Sequence, residues 1–315
     1  MVQNQDLSPL PTATYTPESR LRRPQVLIQE IWTDLKVSRE LSWQLFRRKL
    51  STRYRQTALG PLWVLVPPAV TALMATLLRS SGVVDVASDG VLPYFLRVMF
   101  ATVVWGVFAQ SLSLPLQAMQ ESLVILQTMR VSVEGFLLAK VAEILFDQGF
   151  QFLVLAVLFT LFKVPISIVG LLSAGMLLTL LIALGMSLGF FLVPVGSLYL
   201  DVNSALPLLL RGWFFLTPVI FPKPAVVHVS DATTEAVTDA TTAVATQPQS
   251  FLDLFYSTIV SLNPVSSVLQ GILDTTVGEP LQDIWNILGV LVLTVVLFSA
   301  GWLVYRVSIP LLVER

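Results

Sequence analysis

Arg47-Arg48-Lys49-Leu50-Ser51-Thr52-Arg53-Tyr54-Arg55-Gln56-Thr57-Ala58-Leu59-Gly60-Pro61-Leu62-Trp63 decides the fold, because the charge of the chain stops inside it. Ten of the 19 Lys and Arg residues lie before residue 56, and residues 56–78 carry no charge at all. Lys and Arg are retained on the cytoplasmic side of a membrane, so this cluster places the amino terminus inside. Composition agrees: 12% of residues are charged and 55% apolar, against about 25% charged in soluble proteins. The net charge of -1 conceals an asymmetry. Residues 224–305 contain no Lys or Arg but seven acids, from Asp231 to Asp283, which is what an exported face tolerates. An all-α polytopic membrane protein is expected.

Residues 1–24 are polar and contain Pro, so they read as a flexible cytosolic tail; no removable signal peptide is expected. Residues 25–58 read as a cytosolic, interfacial amphipathic helix touching membrane lipids. Leu41, Leu45, Leu50 and Tyr54 share its apolar side, Arg39, Arg47, Arg48, Lys49 and Arg53 its wet side, and Trp43 and Phe46 sit at headgroup level. A merely solvated helix is the alternative. Residues 59–315 then form a transmembrane domain of six spans: 61–78 with a kink at Pro67-Pro68, 98–120, 139–162, one long helix within 164–200, 205–221 and 284–305. The connection 115–135 returns to the cytoplasm. Gly185 and Gly189 make a small-xxx-small helix-contact pattern. Residues 223–250 are Thr/Ala-rich and acidic, a flexible external insertion. Residues 251–278 are uncharged over 254–273 but broken at Ser261-Leu262-Asn263-Pro264. Each half is about 15 Å long as helix, too short to cross, so external re-entrant half-helices are expected between spans five and six. Arg306 and Arg315 hold the carboxyl terminus inside.

The sequence lacks catalytic chemistry. No Gly-x-x-x-x-Gly-Lys-Ser/Thr occurs, and Gly-Lys is absent as a dipeptide, so a phosphate-cradling loop is missing. There is no Cys, and the single His228 lies in the insertion, so neither a metal centre nor a catalytic residue is expected. Polar residues within apolar regions are more informative. Lys140, Glu143, Asp147 and Gln151 share one face of the third span, either as a pairing stripe between helices or as the wall of a translocation path. Arg211 lies mid-span between Leu208-Leu209-Leu210 and Gly212-Trp213-Phe214. It either grips an anionic group such as a pyrophosphate or joins helices by an ion pair. Trp105 and Trp213 sit deep, as glycan contacts or as helix packing, while Trp63, Trp285, Trp302 and Tyr305 read as interfacial anchors.

Three motifs in order carry a resemblance. Arg53-Tyr54-Arg55-Gln56-Thr57-Ala58-Leu59-Gly60-Pro61-Leu62-Trp63 resembles the Arg-Tyr-x-x-Ser-x-Leu-Gly-x-x-Trp approach to the first span in membrane subunits of bacterial ABC transporters. The members in question export polysaccharides of the O-antigen, capsule and teichoic-acid type. Tyr199-Leu200-Asp201-Val202 with Leu216-Thr217-Pro218-Val219-Ile220-Phe221-Pro222 is similar to that family's Arg-Asp-(Val/Ile) and Ser-Pro-Val-x-Tyr pattern. Leu262-Asn263-Pro264 falls where the family has Asn-Pro between short gating helices. The resemblance covers residues 26–312. Leu200 stands where Arg is usual, residues 123–136 diverge, and the insertion 223–250 is extra.

The resemblance implies a permease, not an enzyme, in the bacterial inner membrane with both termini cytoplasmic. It implies a homodimer clamped by two copies of a separate ABC ATPase, which bind ATP and Mg, with no cofactor on this chain and no nucleic-acid partner. The substrate class implied is a lipid-linked polysaccharide. The corresponding ATPase-coupling residues are Arg53, Tyr54, Arg55, Gly60, Glu121, Arg130, Glu134 and Asp201. Lys140, Glu143, Asp147, Trp105, Arg211 and Trp213 are the translocation-path candidates, and Asn263 and Pro264 the external gate. Efflux of small lipophiles shares the six-span plan, and a membrane enzyme of envelope glycan assembly is the reading from another class.

Overall fold

A computed structural model describes residues 24–55, 57–58, 60–82, 91–126, 133–199, 201–220 and 258–313. Among the described residues the longer α-helices are, in chain order, α1 (Pro24–Arg55), α2 (Val66–Ser80), α3 (Tyr94–Leu126), α4 (Val133–Leu161), α5 (Ile168–Leu198), α6 (Asp201–Phe215), α7 (Pro264–Thr276) and α8 (Ile284–Val313). A 3-10 helix, Gly60–Leu65, leads into α2. No strand occurs among the described residues. Among the described residues five segments are long and apolar enough to cross a membrane: Gly60–Ser80, Tyr94–Leu123, Val133–Leu161, Ile168–Leu198 and Ile284–Ile309. Leu73 and Met74 on α2, Leu153 and Val157 on α4, Leu172 and Met176 on α5, and Val292 and Val296 on α8 are exposed. An apolar surface this continuous is untenable in water and is the build of a membrane protein.

The centre of the bundle is α3 against α5. Gly185 and Gly189 lie on the contact: a Cβ at Gly185 would stand 2.9 Å from the Phe108 carbonyl oxygen, and one at Gly189 2.3 Å from that of Leu112. The small-xxx-small pattern therefore marks the closest backbone approach of the two helices. On the other side of α5, a Cβ at Gly301 of α8 would stand 2.8 Å from the Ser187 carbonyl oxygen. Phe190 of α5 lies among Phe298, Trp302 and Tyr305 of α8 at ring separations of 5.1–5.5 Å. Trp302 and Tyr305 are thus packing residues here, with Tyr305 fully buried.

Several boundaries depart from expectation for physical reasons. Pro67 and Pro68 lie inside the segment Gly60–Ser80, just after it changes from 3-10 to α-helix; they occupy the first turn of α2, where a missing N–H costs no helix bond. The connection 115–135 is mostly helix: α3 continues through Pro115 to Leu126, and α4 begins at Val133. Pro115 is tolerated at the α5 contact, its ring within 2.8 Å of where a Gly189 Cβ would sit. The fifth expected span, 205–221, appears as α6, 15 residues long, or about 22 Å against a hydrocarbon thickness of about 30 Å. It ends before Pro218, and the chain leaves it through a turn closed by the Leu216 N–H to Trp213 and the Thr217 N–H to Phe214 carbonyls. Within the expected stretch 164–200 there is one helix, Ile168–Leu198, of 31 residues. The tail 1–23, the insertion 223–250, His228, Leu200, Arg130 and residues 251–257 lie outside the described residues.

α7 has 13 residues, most of them buried, including Val265, Val268, Leu269, Ile272 and Leu273. At about 20 Å it does not cross a bilayer, and it is held inside the bundle against α5 and α8. The preceding residues 258–262 are helical, and the helix breaks at Asn263. A Cβ at Gly170 would meet the Thr275 carbonyl oxygen at 1.8 Å, so only a glycine lets α5 approach the end of α7.

Candidate functional site

The polar face of α4 turns toward α1, α3 and the 3-10 segment. From α1, Lys49 Nζ lies 3.0 Å from Glu143 Oε1 and also pairs with Glu121 of α3, and Arg53 Nη1 donates to Asp147 Oδ2 at 2.7 Å. Lys140 of α4 lies 2.8 Å from Glu121 Oε1 and 3.5 Å from Glu143 Oε2. Gln151 donates to the Val64 carbonyl at 2.7 Å, fixing the 3-10 segment on α4. Three cations and three carboxylates therefore neutralise one another, with Asp147 itself buried. Left unpaired in the membrane interior, a buried charge such as that of Asp147 would cost about 3 kcal/mol. Burial draws the Lys49 pKa down, but its hydrogen bonds with Glu121 and Glu143, and their negative charge, outweigh that and raise it.

These contacts set the course of α1. Ser42 donates to the Gly135 carbonyl at 2.9 Å, the Phe46 and Phe146 rings lie 6.2 Å apart, and Lys49 and Arg53 reach Glu143 and Asp147. Residues 42–53 thus run beside 135–147 in the same direction and at nearly the same pace. Lys49 and Arg53 are spaced i, i+4, as are Glu143 and Asp147, so two helical faces mesh charge for charge. α1 follows α4 over this stretch instead of lying across it, which an isolated amphipathic pattern does not convey. Its outer side keeps Arg39, Arg47, Arg48 and Arg55 exposed.

Between α1, α3 and α4 lies a cavity of about 360 Å³ lined by Arg53, Gln110, Leu114, Gln117, Lys140, Glu143, Ile144 and Asp147. Three of the six translocation-path candidates, Lys140, Glu143 and Asp147, wall it. Gln110, Gln117 and Lys49 were not singled out from sequence as site residues. The signals were present: Gln110 and Gln117 are seven apart in an uncharged run, and Lys49 precedes Arg53 by one helical turn.

The remaining candidates lie elsewhere. Trp105 of α3 is buried in a ring cluster with Phe108, Trp213 and Phe214, the two tryptophans 6.2 Å apart. Beside them Arg211 is exposed on α6 among exposed Leu208, Leu209 and Phe215. No described residue forms an ion pair or hydrogen bond with it, so the helix-joining reading of Arg211 has no partner among the described residues.

Glu134 is buried, its Oε1 3.5 Å from Arg306 Nη2 of α8. Asp201 is exposed in the first turn of α6, where a negative charge suits the helix dipole. Gly60 has φ +51°, a conformation that favours glycine, so the glycine of the first motif turns the chain from α1 into the 3-10 segment. Arg55 is exposed at the end of α1; the Tyr54 side chain lies outside the described residues. Asn263 is buried and caps α7, its Oδ1 accepting from the Val265 N–H at 3.1 Å, while its Nδ2 donates to Thr217 Oγ1 at 3.0 Å. Asn263 therefore ties the start of α7 to the end of α6, with Pro264 in the first turn of α7.

Among the described residues no cluster of His, Cys, Asp or Glu is arranged to hold a metal ion. No model of a known protein family matches the chain, and no curated protein matches it.

Proposed function

We propose that this chain is the permease subunit of an ATP-driven exporter that moves a lipid-linked polysaccharide across the bacterial inner membrane. The observation that carries the proposal is the order and spacing of the three motifs ending at Trp63, Pro222 and Pro264. The geometry supports it at each motif. Gly60 makes the turn that leads into the first span, α6 stops at Phe215 ahead of Pro218, and Asn263 begins a short helix. On this reading α6 and the residues after it make a sixth crossing, and both termini face the cytoplasm. The permease works as a homodimer with two copies of a separate ATPase.

The ion network gives such a partner something to push. An ATPase docking at the α3–α4 connection would bear on Glu121, Lys140 and Glu143. Their pairs with Lys49 would carry the motion into α1 without a covalent link. The two states must differ in binding energy for ATP to drive the change, and a balanced ionic junction can re-pair at small cost. The test is reconstitution: the chain, co-purified with its ATPase, should move a lipid-linked glycan across a vesicle membrane only with ATP. ATP hydrolysis by the isolated chain, or glycan product formed without an ATPase, would refute the proposal.

A further inference from the structure

The cavity between α1, α3 and α4 holds more hydrogen-bonding capacity than its ion pairs consume. Gln110 and Gln117 line it from one face of α3. Behind them Gln148 of α4 is buried, 3% exposed, and neither end of its carboxamide has a partner among the described residues. The Nε2 atoms of Gln148 and Gln110 both lie 3.9 Å from where a Cβ on Gly106 would stand, so the two carboxamides converge on one small patch of α3. Gln148 stands behind the lining, so the carboxamides that face an occupant of the cavity are those of Gln110 and Gln117, and a polar occupant that pairs with them is favoured over an apolar one.

The charge balance selects that occupant. Lys49, Arg53 and Lys140 cancel Glu121, Glu143 and Asp147, so a charged ligand gains no net attraction and must break existing pairs to be held. A neutral hydroxyl both donates and accepts. It matches a wall where carboxylate and amide oxygens alternate with ammonium, guanidinium and amide N–H groups, and it leaves the pairs intact. Leu114 and Ile144 add an apolar patch suited to a C–H face. The volume, about 360 Å³, is at the lower end of small-molecule sites, about 300–1,000 Å³. Half-exposed Arg53 and exposed Gln117 form the rim.

We propose that this cavity binds a neutral glycosyl unit within a single protomer. The identification of that unit as part of the exported glycan rests on the exporter reading above; a sugar headgroup of a membrane glycolipid has the same chemistry.

The full chain, in phosphatidylcholine nanodiscs without any ATPase, is presented with methyl glucoside, maltotriose and phosphocholine and read by saturation-transfer NMR. Transfer to the sugar ring protons and none to phosphocholine is expected, with Gln110→Leu weakening sugar binding about tenfold, the worth of one or two hydrogen bonds. Gln117→Leu removes a lining carboxamide at the exposed rim, so it should keep its fold and weaken the same binding. In nanodiscs containing a monoglucosyl lipid, native mass spectrometry should show that lipid retained by the wild type and lost from both variants if the headgroup is the source. Absence of sugar signal in both formats, or equal binding by wild type and folded variants, would overturn the site. Sugar binding without ATP-driven export in the reconstituted complex would keep the site and overturn the exporter; export without sugar binding would do the reverse.

Discussion

Gly189→Ala tests the assignment of α3 and α5 as the core of the bundle. The added methyl would stand 2.3 Å from the Leu112 carbonyl oxygen and 2.8 Å from Pro115 Cδ. Both obstacles are backbone or ring atoms, so neither can swing aside, and the helices must separate by about 1 Å to reach an ordinary contact distance. That separation also loosens Leu112, Leu116 and Phe190, all buried nearby. Overpacking of this kind costs about 1–3 kcal/mol, set against about 0.5–1 kcal/mol gained by replacing a mid-helix glycine with alanine. Gly149→Ala isolates the second quantity, because a Cβ there meets nothing within 4 Å. Unfolding equilibria in mixed micelles, followed by tryptophan fluorescence, should place Gly189→Ala about 1–3 kcal/mol below Gly149→Ala. Equal stability of the two variants would refute the close approach of α3 and α5.

Asn263→Ala should destabilise the α6–α7 junction by about 1–2 kcal/mol through loss of the cap, whereas Asn263→Asp keeps the cap acceptor and loses only the donor to Thr217; proteolysis between α6 and α7 should rank them Ala, Asp, wild type. Lys49 has a pKa raised above its ordinary 10.5, so its contribution is fully present below that pH and is lost as pH rises through the raised value. Spin labels at Arg47 and Leu145 should report a fixed distance up to pH 10.5 and a broadened one only at higher pH, and Lys49→Met should be broad already at neutral pH. Arg211→Ala should lower glycan export while leaving co-purification with the ATPase unchanged; wild-type export by this variant would remove Arg211 from the mechanism.

How far the sequence disclosed this arrangement depends on which residues carry the information. Uncharged runs and their flanking charges located the long helices, because the cost of a buried charge is written in composition alone. The glycine pair Gly185 and Gly189 disclosed a contact but not its partner, since any helix could have filled that groove. The polar face of α4 was legible at i, i+3, i+7 and i+11 spacing, yet its choice between pairing and lining a path was not, because the answer lies on other helices. Lys49 and Arg53 repeat the i, i+4 spacing of Glu143 and Asp147, and only the three-dimensional course of α1 along α4 makes the two repeats a ladder. Proline proved the hardest residue to place. Pro67 opens a helix, Pro115 rides inside one against a glycine, and Pro218 follows the end of one; the ring restricts the backbone identically in each, and what differs is whether a carbonyl deprived of its donor is at a terminus or within the bundle. The same reasoning separates Asn263 from a generic loop asparagine. Its side chain satisfies the α7 amide and the Thr217 hydroxyl together, so the helix break at Asn263 is also the bond that joins α7 to the end of α6.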